Sequence, residues 1–162
     1  MKIETHKMTQ SILNNTSLFS FPIRVYYEDT DAGGVVYHAN YLNFFERART
    51  EWLRDLGYEQ DQLRLIEKLL FAVRKVEIDY LKPAFFNDQL IVTVQITKVG
   101  ASTLDVSQQM VAVNKKEEQL LSVAKVLLVC IDADKFRPKK IPKHINTAIK
   151  NSPYCTNTLK RS

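Results

Sequence analysis

The chain has 162 residues, enough for one domain with a real core and too few for two ordinary ones. An apolar fraction of 45% with 25% charged residues is the composition of a globular domain, which excludes a disordered chain, and no apolar run reaches the roughly 18 residues of a membrane span. The net charge of +5 resides at one end: eight of the 23 Lys and Arg residues lie in 135–162 with no Asp or Glu, leaving fifteen bases against 18 acids elsewhere.

A basic end of this kind is a solvated segment or an aid to binding a polyanion. No recognition helix, zinc-finger spacing or RNA-binding aromatic signature accompanies it, so no nucleic-acid role is expected. Cys130 and Cys155 form no CxxC or Cys/His cluster. They predict neither a disulfide nor a metal site, and a reducing, cytoplasmic setting fits them.

In chain order, residues 1–20 are polar and without period, and read as a flexible leader rather than a signal peptide. From Pro22, Ile23, Val25 and Tyr27 alternate with polar neighbours as a strand. Tyr41, Phe44 or Phe45, Ala48, Trp52 and Leu56 then recur at three- and four-residue steps, with Gly57 where a helix ends and Asn40 or a neighbour as its N-cap. A shorter helix is predicted over 59–68. Four strands follow, over 71–81, 89–99, 103–113 and 120–131, joined by short connections that predict an antiparallel meander. Pro138 and Pro142 close the domain near residue 145, leaving 146–162 as a basic tail. One amphipathic helix and five strands predict an α+β domain, the sheet wrapped around the helix and its other face left for water or a second subunit.

The segment from Glu28 to Asn40 joins the first strand to the helix. A helix start exposes unpaired N–H groups that can hold a developing oxyanion. Gly33 and Gly34 permit positive φ and close approach of a ligand, with Asp31 before them and His38 after. Carboxylate, imidazole and helix donors are the minimum equipment for ester or thioester hydrolysis. The same residues also serve as turn and packing groups, so the local chemistry alone leaves both readings open. Asp29 is the aspartate better suited to a purely structural turn role.

The run "YYEDTDAGGVVYHANYLNFFERARTEWLR", residues 26–54, resembles the signature of hotdog-fold thioesterases of the 4-hydroxybenzoyl-CoA thioesterase class. It is most similar to the bacterial Tol-Pal-associated acyl-CoA thioesterases, and "RPKKIP" at 137–142 resembles the end of that domain. The resemblance covers residues 21–145 and implies a single hotdog domain: a five-stranded antiparallel sheet wrapped around a long central helix. It also implies a homodimer or homotetramer with active sites at subunit interfaces, and a thioester hydrolase that uses no cofactor.

Carried over by position, the resemblance makes Asp31 the catalytic carboxylate, as nucleophile or general base, and His38 its companion. Tyr37 and Gly34 are the substrate-binding candidates, with no metal ligand. His38 and Ala32 stand where hydroxybenzoyl-specific relatives carry tyrosine and proline, which favours aliphatic over aryl acyl-CoA; the expected substrate is a short-chain aliphatic acyl-CoA, although no residue here fixes the chain length. Glu46 is a rival carboxylate, because some hotdog enzymes take their acid from the central helix. Hydratase relatives space Asp and His more closely than Asp31 and His38. The remaining alternative is a protein that binds an acidic acyl carrier protein, or a partner linked to envelope and phospholipid metabolism, through the basic tail.

Overall fold

Alternating apolar residues build five strands: β1 (Phe19–Arg24), β2 (Leu69–Tyr80), β3 (Gln89–Val99), β4 (Thr103–Ala112) and β5 (Gln119–Asp132). The computed structural model describes residues 12–156, and in it these strands form one antiparallel sheet in the order β1-β3-β4-β5-β2. Alternate residues are buried along most of each strand, on β4 Leu104, Val106, Gln108 and Met110, and on β5 Ser122, Ala124, Val126, Leu128 and Cys130. A period of two places each set on one face, and that face meets the helix.

The helix is α1 (Asn40–Asp55), which buries Tyr41, Phe44, Phe45, Ala48, Trp52 and Leu53. Each large side chain taken wholly from water contributes about 1.5–3 kcal/mol, so this stripe dominates the attachment of helix to sheet. Gln108 is the largest of the buried polar residues of the sheet, beside Thr93 and Ser122. Its amide donates to the Phe45 and Thr93 carbonyls at 3.0 and 3.2 Å, and its oxygen accepts from Arg49 at 2.9 Å, so no capacity is wasted in the core. Register shifts at Val73/Lys75, Ile96/Lys98 and Met110/Val111 are the bulges that bend the strands around α1.

Several sequence expectations are corrected here. β3, β4 and β5 form a meander, but β2 pairs with β5 at the far edge and not with β3. The connection 81–88 is long enough to cross the end of the bent sheet, so a short link did not require adjacent strands. The first strand spans Phe19–Arg24, starting inside the predicted leader, and Tyr27 lies in a 3-10 turn, 80% exposed. The N-cap falls on Ala39, the neighbour of Asn40, within the expected position, and the Asn40 side chain bonds Asp29. The segment predicted as a helix over 59–68 is a helical turn, Gln60–Gln62, that widens into a π turn, Leu63–Glu67.

The basic end is the largest departure. Helix α2 (Lys143–Asn151) folds back with Ile145 and Ile149 fully buried. Beyond it, Cys155 is buried and bridges to Ile96, and the Tyr154 carbonyl accepts from Ile96 N–H at 2.8 Å. Charge counting hid an i, i+4 apolar pair that needs the sheet to cover it. The remainder of the predicted tail and the leader up to residue 11 lie outside the described residues. No helix among the described residues is long and apolar enough to cross a membrane.

Because Ile149 sits in the common core, Ile149→Ala should destabilise the protein by about 2–5 kcal/mol. Urea unfolding monitored by circular dichroism checks this, and a solvated tail would show no change.

Candidate active site

Residues 30–36 fold into a small hairpin whose loop accounts for the paired glycines. Asp31 N–H donates to the Val35 carbonyl at 2.9 Å, Gly34 N–H donates to the Asp31 carbonyl at 3.0 Å, and Thr30 bridges Val36. This is a three-residue loop of type I followed by a left-handed residue, and Gly34 takes that place with φ +78°. Gly33 has a different task. Its N–H donates to Asp31 Oδ1 at 2.8 Å, and a Cβ at Gly33 would lie 3.1 Å from that oxygen. One glycine supplies the backbone angle, and the other lets the carboxylate lie close against the loop.

Asp29 ties this hairpin to the helix. It is 6% exposed, and its oxygens accept from Tyr26 N–H and from the Asn40 side-chain amide, each at 2.8 Å. Its carbonyl accepts Tyr37 N–H at 3.0 Å. A buried carboxylate with these partners is a structural junction, which is the role expected of Asp29 rather than of Asp31.

The loop after β2 passes between hairpin and helix. Ala84 N–H donates to the Tyr41 hydroxyl at 2.9 Å, and the Ala84 carbonyl accepts Val36 N–H at 2.8 Å. Asp88 anchors the far end of that loop through Phe85 N–H, the Asn114 amide and the Lys115 ammonium. Burial works against its charge, yet these partners together hold its pKa below the usual aspartate value.

These three pieces enclose a cleft of about 290 Å³ lined by Val36, His38, Tyr41, Tyr80, Lys82 and Pro83, with Leu81 beside them. The His38 ring packs on Tyr37 at 4.7 Å and meets Tyr80 edge-on at 6.2 Å. Burial raises the pKa of both the Tyr41 and the Tyr80 phenols, so both remain protonated donors at neutral pH. At the helix start, Asn40 N–H is bonded to the Tyr37 carbonyl and Tyr41 N–H to that of His38. The N–H groups of His38 and Ala39 have no acceptor among the described residues. A free donor pair at the positive end of a 16-residue helix suits a developing oxyanion.

The predicted site residues do not all meet in this cleft. His38 lines it; Tyr37 is half-exposed beside it and touches His38. Asp31 and Gly34 are exposed on the hairpin loop outside it. Glu46 lines a different hollow, of about 200 Å³, with Arg49, Trp52 and Phe71. There burial lowers the Arg49 pKa while Glu46 raises it. Two larger hollows, of about 610 and 640 Å³, lie against the sheet, and neither contains a histidine or the start of α1. Tyr41, Tyr80 and the 81–88 loop were missed as site elements, because their sequence signal was that of core and strand. Among the described residues no group of three His, Cys, Asp or Glu side chains is placed to hold a metal ion.

Residues 25–149 match the family described as the Thioesterase-like superfamily. The chain belongs to that superfamily. It is a thioester hydrolase with the hotdog architecture. The chain is 47% identical over 131 residues to the acyl-CoA thioester hydrolase YbgC of Escherichia coli O6:H1, covering 81% of this chain and 95% of that one. It is 45% identical over 130 residues to the acyl-CoA thioesterase YbgC of Haemophilus influenzae, covering 80% and 93%. Among solved structures, a probable thioesterase from Bartonella henselae superposes with a TM-score of 0.71 at 36% identity, covering 77% and 99%.

The two glycines of this thioesterase should fail differently. Gly34→Ala meets no atom within 4 Å and should cost about 1–2 kcal/mol of stability through the left-handed backbone alone. Gly33→Ala should instead displace the Asp31 carboxylate and lower turnover while changing the unfolding midpoint little. Parallel melting curves and thiol-release rates separate the two.

Proposed function

We propose that the protein hydrolyses short-chain aliphatic acyl-CoA to a carboxylic acid and free CoA, with Asp31 as the catalytic carboxylate. The observation that carries this reading is the pair of N–H groups at His38 and Ala39, without an acceptor among the described residues, at the helix start where His38 lines a small cleft. Two well-covered relatives whose names give acyl-CoA thioester hydrolysis support the substrate class. A cleft of about 290 Å³ with Val36, Tyr41 and Pro83 in its walls suits a short aliphatic chain.

In this mechanism the thioester carbonyl oxygen accepts from the helix-start donors. Asp31 Oδ1 is held by Gly33 N–H, while Oδ2 has no donor among the described residues and takes a proton from water. The hydroxide so formed adds to the carbonyl carbon, the C–S bond breaks, and the sulfur leaves with the bond pair. A thiol pKa of about 8.5 makes thiolate a good leaving group, so His38 need only orient water or the departing sulfur.

An Asp31 that stays in bulk water would catalyse poorly, since electrostatic catalysis works best where water is excluded. We therefore include a second copy of the chain in the proposal. β2 is a 12-residue edge strand, with Val73 and Tyr80 at 49% and 45% exposure, and an edge of that length calls for a covering partner. Pairing there would bring the neighbouring subunit toward the cleft and the hairpin.

Free-thiol release across a series of acyl-CoA lengths tests the assignment. Asp31→Asn should lower kcat by about 100-fold or more with the assembly intact, and Glu46→Gln should stay within about threefold of wild type. A fully active Asp31→Asn enzyme overturns the assignment.

A further inference from the structure

The Tyr80 hydroxyl, near the end of β2, donates to the main-chain carbonyl of His38 at 2.9 Å, across 42 residues of sequence. Its ring also packs against Tyr41 at 5.1 Å and meets the His38 ring edge-on. The only other donor to that carbonyl among the described residues is Tyr41 N–H at 3.3 Å, a longer bond. His38 stands before the first helical residue, where the α-helical ladder does not yet hold its peptide units.

On the N-terminal side the backbone is already secured, because Tyr37 N–H is bonded to the Asp29 carbonyl. The Tyr80 bond secures the C-terminal side. The intervening Tyr37 carbonyl accepts Asn40 N–H at 2.8 Å, and the His38 and Ala39 N–H groups have no acceptor among the described residues. A preorganised oxyanion donor must hold its direction before substrate arrives, since any reorientation during the reaction subtracts from its effect.

We propose that Tyr80 is a positioning residue for thioester hydrolysis: its hydroxyl holds the His38 carbonyl and so presets the Ala39 N–H, which shares that planar peptide unit, for the oxyanion. This rests on the thioesterase reading above. Tyr80 also lines the cleft, yet its phenol oxygen is engaged with the backbone, so it acts through the His38 peptide rather than on the reacting atoms.

The decisive variant is Tyr80→Phe, which keeps the ring contacts and removes only the hydroxyl. Acyl-CoA hydrolysis should lose about fivefold to tenfold in kcat, the worth of one net hydrogen bond, with KM within about twofold and the melting temperature nearly unchanged. Because the bond is to the main chain, the same factor should be lost when Tyr80→Phe is placed in a His38→Ala background. In amide correlation spectra of the assembled protein, Tyr80→Phe should shift the His38 and Ala39 resonances while those of residues 48–55 stay in place. A KM effect without a kcat effect, loss of the factor in the His38→Ala background, or unshifted His38 and Ala39 amides each overturns the proposal. The spectra decide it even if wild type hydrolyses no acyl-CoA tested, a result that would instead overturn the substrate assignment.

Discussion

One helix has to cover the inner face of five strands, and the arrangement of the molecule follows from that shortage of covering surface. The apolar stripe of α1 from Tyr41 to Leu53 satisfies the middle strands, where burial is complete on β3 and β4. At the sheet's margins the helix does not suffice. On one side the chain's own end closes the gap, with Ile145, Ile149 and Cys155 entering the core. On the other, β2 keeps exposed apolar side chains and an unpaired edge. The covering deficit thus has an intramolecular solution at one margin and invites a second subunit at the other.

The same geometry places the chemistry. A helix laid across a bent sheet must begin near the ends of the strands, so α1 starts where β1 finishes and where the β2–β3 connection turns. Asp29 fastens the segment after β1 to the helix start by accepting from Tyr26 and Asn40 and by receiving Tyr37 at its carbonyl, while Ala84 ties the β2–β3 connection to Tyr41 and Val36. Burying a carboxylate there is costly unless its oxygens are well supplied with donors, as they are. The Asn40 side-chain amide is committed to this junction.

Much of this was legible in the residues. The helical stripe was unmistakable because core side chains recur at three- and four-residue steps, and the sheet strands were legible from β-branched runs between turn signals. The structural place of Asp29 was also legible, through its position before the glycine turn. What failed had a common cause. The meander and the detached basic tail were inferred from neighbours in sequence, whereas β2–β5 pairing and Ile149 burial are settled by distant partners. Tyr80 was invisible for the same reason, since its partner lies 42 positions away.

By itself the sequence determined the α+β class, the helix and its buried stripe, and the short segment that carries Asp31 and His38. Those features depend on periodicity and local turn chemistry, which are properties of adjacent residues. Tertiary structure alone decided the strand order, the folding back of α2 and the assignment of the two glycines to separate tasks. It also showed that His38 lines the cleft while Asp31 waits on an exposed hairpin beside it. These depend on which surfaces meet once the single helix has been laid on the sheet, and burial and hydrogen-bond satisfaction act through space rather than along the chain.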